Sequence, residues 1–197
     1  MQPVTPYAEQ LAKLVKNSPW LMHALRAVRA LDLQSWCIGA GAIRGLVWDH
    51  LHGFDVSSKV ADVDVVFFDR ENCSPLYEAQ LTNSLVQAMP ELDWEVVNQA
   101  AVHHWSQSHF AESVPPLMSL EEGIASWPEY ATCVGVYLDQ QEEVKVVAPH
   151  GLEDLFHMIV RRNPTRVAAR VFNERIAQKR FSERWPMVQV LQVENAL

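Results

Sequence analysis

The most constraining feature of this sequence is an alternating run, Val60 to Phe68, that holds two aspartates among apolar neighbours. Side chains two residues apart on a β-strand share a face. One face is therefore apolar throughout, whereas the other carries Asp62 and Asp64, followed by Val66 and Phe68. The pattern predicts a strand that is covered on both faces for most of its length, with two carboxylates together near its start.

A strand, a glycine turn and a helix are predicted just before this run. The short apolar segment Ser35 to Ile38 ends at Gly39-Ala40-Gly41. Apolar residues then recur at helical spacing from Ile43 to Leu51, and Gly53 marks the helix end. The turn therefore joins a buried strand directly to a helix.

The rest of the chain alternates between helical and extended patterns. Trp94 to Val102 predicts a later strand with Glu95 and Val97 on one face. Strands interleaved with helices predict an α/β or α+β fold, in which helices pack on a sheet. Further helices are predicted over Tyr7 to Leu31 with a break at Ser18-Pro19, from Pro75 to Pro90, from Leu120 to Trp127, from Leu152 to Val160, and from Thr165 onward; a hairpin is predicted over Thr132 to Val147.

Composition restricts the class of protein. Of the 197 residues, 49% are hydrophobic and 20% are charged, which is typical of a globular domain. No apolar run approaches the roughly 20 residues of a membrane span, and the first residues do not resemble a secretion signal. The three cysteines match no metal or disulfide spacing and are expected to be reduced and buried. We expect a cytoplasmic protein that does not contact a membrane.

Charge is distributed unevenly along the chain. The net charge of −8 disfavours broad nonspecific binding of nucleic acid. A basic stretch nevertheless lies between Arg161 and Trp185. It would either bind a polyanion, through Arg161, Arg162 and Arg166, or form a solvated helix face that pairs with the acidic body. Both interpretations stay open at this point.

The paired aspartates predict a metal site. Two carboxylates at the margin of a buried strand repel each other unless a cation or hydrogen bonds compensate. Mg²⁺ binds carboxylate oxygens and keeps positions for phosphate oxygens and water. Asp62 and Asp64 are therefore candidate ligands for a divalent cation, and Glu95 on the later strand is a third candidate.

Taken together, these motifs resemble the nucleotidyltransferases related to DNA polymerase beta and the tRNA nucleotidyltransferases. Ile38 to Arg44 is similar to the Gly-Gly-x-x-Arg element of the latter group, with Ala40 at the place of the first glycine. Ala61 to Val66 is similar to their metal-binding strand. A fuller pattern over roughly residues 20 to 190 resembles a small bacterial nucleotidyltransferase-like family; it includes Val47-Trp48-Asp49, Leu51-His52-Gly53, Asn98-Gln99-Ala100 and Arg161-Arg162-Asn163-Pro164.

The resemblance implies a nucleotidyltransferase-type mixed sheet flanked by helices within residues 1–150, with C-terminal helices in residues 151–197 packed on it as one compact unit. It also implies transfer of a nucleoside monophosphate from an NTP to an acceptor hydroxyl on a small molecule, a protein or an RNA, with Mg²⁺ or Mn²⁺ as cofactor. The alternative is a member of the same fold without turnover, which acts as a nucleotide-binding or regulatory module.

The same resemblance implies roles for individual residues. Asp62 and Asp64 would bind the divalent cations, and Glu95 would hold the cation next to the attacking hydroxyl and assist its deprotonation. Backbone N–H groups of the turn, Gly39, Ala40 and Gly41, would approach phosphate oxygens at the helix N-terminus. Arg44, one turn into that helix, would bind a phosphate.

Two other sites are weaker alternatives. His103, His104 and His109 with Cys133 suggest zinc, but their spacing matches no standard ligand set. An Asp-x-Asp motif also occurs in metal-dependent glycosyltransferases, which normally need a longer nucleotide-binding region before the motif than the 61 residues that precede Asp62 here.

Overall fold

The computed structural model describes residues 6–55, 62–102, 116–165 and 167–193. Within these ranges the helices are α1 (Pro6–Lys16), α2 (Pro19–Arg29), α3 (Ala40–Leu51), α4 (Pro75–Ala88), α5 (Leu120–Ala125), α6 (Glu153–Phe156), α7 (Ala169–Lys179) and α8 (Phe181–Arg184), with a 3-10 turn at Tyr130–Thr132. The strands are β1 (Trp36–Gly39), β2 (Val63–Phe67), β3 (Trp94–Asn98), β4 (Gly135–Leu138), β5 (Val144–Val147), β6 (Ile159–Val160) and β7 (Gln189–Val190). The predicted mixture of helices and strands is confirmed.

Among the described residues, five strands form one mixed sheet in the order β3-β2-β1-β4-β5. Strand β1 pairs antiparallel with β2 and β4, and β4 pairs antiparallel with β5. Strands β2 and β3 are parallel, and their register places Asp64 opposite Glu95. This pairing brings two carboxylates that are distant in sequence to neighbouring positions on the sheet.

The two faces of the sheet are covered differently. Val63, Val65 and Phe67 of β2 enter the main hydrophobic core, which includes apolar residues of α1, α2, α3 and α4. Val66 points to the opposite face and packs with the smaller cluster that contains Ile124 of α5. Because residues two apart share a face, Asp64 lies on the side of this smaller cluster. The alternation expected for β2 is confirmed, and its polar start borders a cavity.

Strand β3 is shorter than the predicted strand Trp94 to Val102, because it ends at Asn98. The Asn98 side chain is buried and turns the chain. Its Nδ2 donates to the carbonyls of Asp69 and Asn72 at 2.6 and 3.1 Å. Its Oδ1 accepts from the backbone N–H groups of Asp69 and Ala100 at 3.0 and 3.1 Å. These bonds replace the strand pairing that the apolar sequence suggested.

The predicted helix from Leu152 to Val160 is wrong beyond Phe156, where α6 ends. Met158 adopts a left-handed backbone conformation with φ +56°, which a helix cannot continue through. Ile159–Val160 then pairs in parallel with Gln189–Val190. The pairing partner lies near the end of the chain, so a local apolar pattern does not reveal it.

The second predicted C-terminal helix also differs from the structure. Helix α7 begins at Ala169 rather than at Thr165, and it ends before Arg180. Arg180 has φ +47° and ψ +47°, a left-handed conformation that separates α7 from α8. The basic segment is therefore two short helices with a sharp change of direction between them.

Aromatic side chains join these C-terminal helices to α3. Trp185 Nε1 donates to Asp49 Oδ1 at 2.8 Å. The Trp48 ring contacts the rings of Phe181 and Trp185 edge to face, with centroids 5.7 and 5.2 Å apart. The C-terminal segment is thus packed on the helix that follows the glycine turn, while the domain boundary at residue 150 stays a prediction.

Two further expectations concern burial and membranes. Cys37 and Cys133 are buried as expected, but Cys73 is partly exposed, contrary to the expectation. In the part of the chain that the structure describes, no helix combines the length and apolar character that crossing a bilayer requires.

Candidate active site

Three carboxylates converge where β2 and β3 begin. One oxygen each of Asp62, Asp64 and Glu95 lies within 4.8 Å of the other two. Asp62 and Asp64 are half-buried, and Glu95 is exposed. The structure therefore brings together the three residues that the sequence predicts as metal ligands; their roles stay a prediction.

The surroundings of Asp64 disfavour its charged form. Burial and then the negative charges of Asp62 and Glu95 raise the pKa of Asp64 to about 6. A hydrogen bond from the Gly41 backbone N–H and the positive charge of Lys179 act in the opposite direction. The turn thus positions Asp64 by a hydrogen bond, while burial and the two acidic neighbours destabilise its charged form.

The donor set of this cluster fits a hard divalent cation. It offers carboxylate oxygens from three side chains and no nitrogen or sulfur, which suits Mg²⁺ or Mn²⁺ rather than zinc. A bound cation would also offset the burial and the repulsion from Asp62 and Glu95 that together raise the pKa of Asp64. The residues present therefore fit the cofactor that the sequence predicts.

The glycine turn is built around Gly39, at the end of β1. A Cβ atom at this position would lie 2.6 Å from Cη2 of Trp127 and 2.9 Å from the carbonyl oxygen of Val134. Only glycine lets the Trp127 ring and the Val134 backbone, just before β4, approach this closely. Gly39 therefore permits close packing of the turn against Trp127 and Val134.

Ala40 and Gly41 already use their backbone N–H groups within the protein. Ala40 N donates to the Val134 carbonyl at 3.1 Å, and the Gly41 N–H donates to the Asp64 carboxylate. The backbone N–H groups of Ala40 and Gly41, which the sequence predicts to approach phosphate, thus form hydrogen bonds within the protein. The role of the turn residues in substrate binding stays a prediction.

Ala40 has a left-handed backbone conformation with φ +49°, which costs a residue with a Cβ about 1–2 kcal/mol. We expect Ala40→Gly to raise the free energy of unfolding by about 0.5–1 kcal/mol, because glycine removes this strain but loses more backbone entropy on folding. Denaturant unfolding measures the change. Ala42→Gly, two residues further along α3, is the matched control and should lower it by about 1 kcal/mol or more. Equal effects of both substitutions would contradict the assignment of strain to Ala40.

Arg44 lies in the wall of the same cavity as the carboxylates. Its side chain is only 8% exposed, and its guanidinium carbon lies 4.8 to 5.4 Å from the ring centroids of Trp48, Phe181 and Trp185. Burial lowers its pKa to about 10, partly offset by the charge of Glu129. Within the described residues, its Nε has no hydrogen-bond partner. A buried guanidinium with an unused donor is suited to an anion.

Sequence reasoning missed the other basic residues of this cavity. Its volume is about 480 Å³, within the about 300–1,000 Å³ typical of ligand sites. Arg175, Lys179 and Arg184 from the C-terminal helices line it together with Arg44. The signal in the sequence is an i, i+4 basic pair, at 175 and 179, which follows the apolar Phe172 on one helix face.

One interpretation of the basic stretch in the sequence is contact with a polyanion through Arg161, Arg162 and Arg166. The structure does not place the first two in the cavity. Arg161 pairs with Asp154 at 3.0 Å and stacks on Tyr130, and Arg162 donates to the carbonyl of Val167. Neither lines the cavity, and Arg166 lies outside the described residues. Their contact with a polyanion stays a prediction.

The zinc alternative gains no support from the described residues. His103, His104 and His109 lie outside them. The Cys133 thiol donates to backbone carbonyls, including that of Glu129 at 3.3 Å, and burial raises its pKa to about 12. A thiol that stays protonated is a poor metal ligand.

A mixed sheet with clustered carboxylates beside a strand–turn–helix is the arrangement expected of nucleotidyltransferases. A family model described as nucleotidyltransferase matches residues 26–190. The chain belongs to this nucleotidyltransferase family, and nucleotidyl transfer is therefore its class of reaction.

Solved structures agree with this assignment. An NMR structure described as revealing a CCA-adding enzyme head domain is similar over 94% of this chain and 96% of that chain, with a TM-score of 0.80 and 25% identity. A CCA-adding enzyme in complex with CTP has a TM-score of 0.54 and 12% identity, which shows the fold alone. This chain covers 43% of that enzyme's length. Comparison with curated protein sequences gives no significant match. The predicted fold and superfamily are confirmed.

Proposed function

We propose that this protein is a divalent-metal-dependent nucleotidyltransferase that transfers a nucleoside monophosphate from an NTP to an acceptor hydroxyl. The observation that carries the proposal is the convergence of Asp62, Asp64 and Glu95 within 4.8 Å in a cavity that also holds the buried Arg44. Carboxylates without a partner cation would repel each other there. The family and fold support the same class of reaction.

The reaction forms a bond between the acceptor oxygen and the α-phosphorus of the NTP, and it breaks the bond from that phosphorus to the oxygen that bridges to the β-phosphorus. Pyrophosphate leaves with the bonding electrons. Glu95, which lines the cavity and is the exposed member of the three carboxylates, takes the proton of the acceptor hydroxyl. Arg44 binds phosphate oxygens through the donors that its aromatic neighbours leave available.

Asp62 and Asp64 hold the divalent cation, with Glu95 as a further ligand. When bound, Mg²⁺ or Mn²⁺ neutralises phosphate charge and lowers the pKa of the attacking hydroxyl. The backbone N–H of Gly41 positions Asp64 for this contact, because it donates to the same carboxylate. The turn thereby contributes to the metal site as well as to the helix start.

A screen of all four NTPs tests the proposed activity. The protein is incubated with each α-labelled NTP and either Mg²⁺ or Mn²⁺, in the presence of pooled RNA, protein or small-molecule acceptors. We expect release of pyrophosphate and transfer of label to one acceptor class, and EDTA should abolish both. Glu95→Gln should lower the rate of transfer, because this side chain takes the acceptor proton in the proposed reaction. Glu91→Gln, which changes an exposed acid outside the cavity, is the matched control and should leave the rate unchanged.

Two outcomes separate enzyme from binding module. If an NTP raises the melting temperature but no acceptor or metal gives transfer, the protein is a nucleotide-binding module of the same fold. If neither a metal nor an NTP changes the melting temperature, both functions are wrong, because a ligand at one hundred times its Kd should stabilise the fold by about 2.7 kcal/mol.

A further inference from the structure

We propose that the C-terminal helices form the subsite for the pyrophosphate portion of the nucleotide, with Lys179 and Arg175 as its ligands beside Arg44. The inference rests on the proposed function and assigns part of that site to α7, a helix without a motif of its own. These basic side chains would recognise a compact, multiply charged phosphate anion.

The position of α7 directs its basic side chains into the cavity. Phe172 is completely buried and fixes the helix against the core. Arg175 and Lys179 follow it by one and two helical turns, on the same side of the helix. Both line the cavity that contains the carboxylates, and the charge of Lys179 acts on Asp64.

Arg175 is fixed by a buried acid. Glu129 is 1% exposed and accepts from Arg175 Nε, while Thr132 Oγ1 donates to its other oxygen at 2.9 Å. A guanidinium has five N–H donors, and Glu129 accepts from the Nε and one Nη2 donor. The ion pair therefore positions Arg175 at the cavity wall and leaves donors for a second anion.

The cavity is bipolar. Three of its acids lie at the sheet, Asp64 on β2, Glu95 on β3 and Asp62 just before β2, whereas its bases lie on α3, α7 and α8. A fourth acid of the lining, Asp49 on α3, accepts a hydrogen bond from Trp185 Nε1. Such a distribution complements a polyphosphate that carries a cation, since the cation meets the acids and the remaining phosphate oxygens meet the bases. The bases converge on one cavity instead of being spaced along a surface, which favours a compact polyphosphate over the backbone of an RNA strand.

Calorimetric titration with inorganic pyrophosphate and tripolyphosphate tests the subsite, in EDTA and in Mg²⁺. We expect Lys179→Ala to raise the Kd about tenfold, the effect of losing one charge-assisted hydrogen bond. Lys179→Arg should retain most of the affinity. Arg170→Ala is the matched control, because Arg170 lies on the same helix, is 74% exposed in its side chain and pairs with Glu174; it should change the Kd less than twofold.

The inference is overturned if Lys179→Ala and Arg170→Ala have equal Kd values, or if Lys179→Ala weakens binding of an RNA oligonucleotide and not of pyrophosphate. The proposed function can fail separately. Parent protein that binds pyrophosphate through Lys179 but never transfers label supports the subsite and contradicts the enzyme. If Lys179→Ala still transfers label with an unchanged KM for the NTP, the enzyme is supported and the subsite is contradicted.

Discussion

Asp64→Asn is expected to lower the rate of nucleotidyl transfer by about a thousandfold, because loss of one charged metal ligand removes several kcal/mol of transition-state stabilisation. Asparagine keeps the shape of the side chain and an oxygen that can accept from the Gly41 N–H. The fold should therefore persist. Initial rates of pyrophosphate release at saturating NTP and Mg²⁺ measure the effect.

Asp93→Asn is the control for this experiment. Asp93 is an exposed acid just before β3 and does not line the cavity, so its replacement should leave the rate within about twofold, like other surface substitutions. An Asp64→Asn protein that is folded and retains more than a tenth of the parent rate would contradict the assigned role.

Stability of the metal-free protein should fall as the pH rises from about 4 to about 6. The pKa of Asp64 is raised from 3.8 to about 6 in the folded state, so the folded protein holds a proton that the unfolded chain has released. This group therefore stabilises the fold fully below pH 4, and the contribution is lost as the pH passes through about 6. With solvent screening of a half-buried side chain, we expect a loss of about 2 kcal/mol.

Denaturant unfolding in EDTA at pH 4.5, 6 and 7.5 measures this change for the parent and for Asp64→Asn. The difference between the two proteins reports the titration of Asp64 together with its coupling to Asp62 and Glu95, and it cancels the contribution of groups distant from this cluster. At pH 7.5 the variant should be more stable by about 2 kcal/mol, or roughly 4–8 °C in melting temperature for a domain of this size. Parallel pH profiles for the two proteins would show that the pKa of Asp64 is not raised in the folded state.

The local part of the fold was predictable because its signals are local. Glycines stop a strand and begin a helix within a few residues, and the alternation of β2 fixes which side chains share a face. These signals predict β1, α3 and the placement of Asp62 and Asp64 together. The pairing of Glu95 with them required one further assumption, the order of strands, which the resemblance to nucleotidyltransferases provided.

The elements that were predicted wrongly depend on distant partners. Ile159–Val160 has an apolar pattern that fits a helix as well as a strand, and the choice is made by Gln189–Val190. The end of β3 is fixed by buried bonds of Asn98 to residues almost 30 positions earlier. For Lys179 the sequence left two interpretations open, a polyanion contact or a solvated helix face, because only the tertiary packing of α7 through the buried Phe172 places this residue in the cavity wall.

The most direct measurement of the central claim, that the acidic cluster is the divalent-cation site, is electron paramagnetic resonance of Mn²⁺ titrated into the protein with a non-hydrolysable NTP. We expect stoichiometric bound Mn²⁺ in the parent, competition by Mg²⁺, and loss of at least 90% of the binding in the double variant Asp62→Asn/Asp64→Asn, while Asp93→Asn binds like the parent. Equal Mn²⁺ binding by the parent and the double variant would contradict the claim.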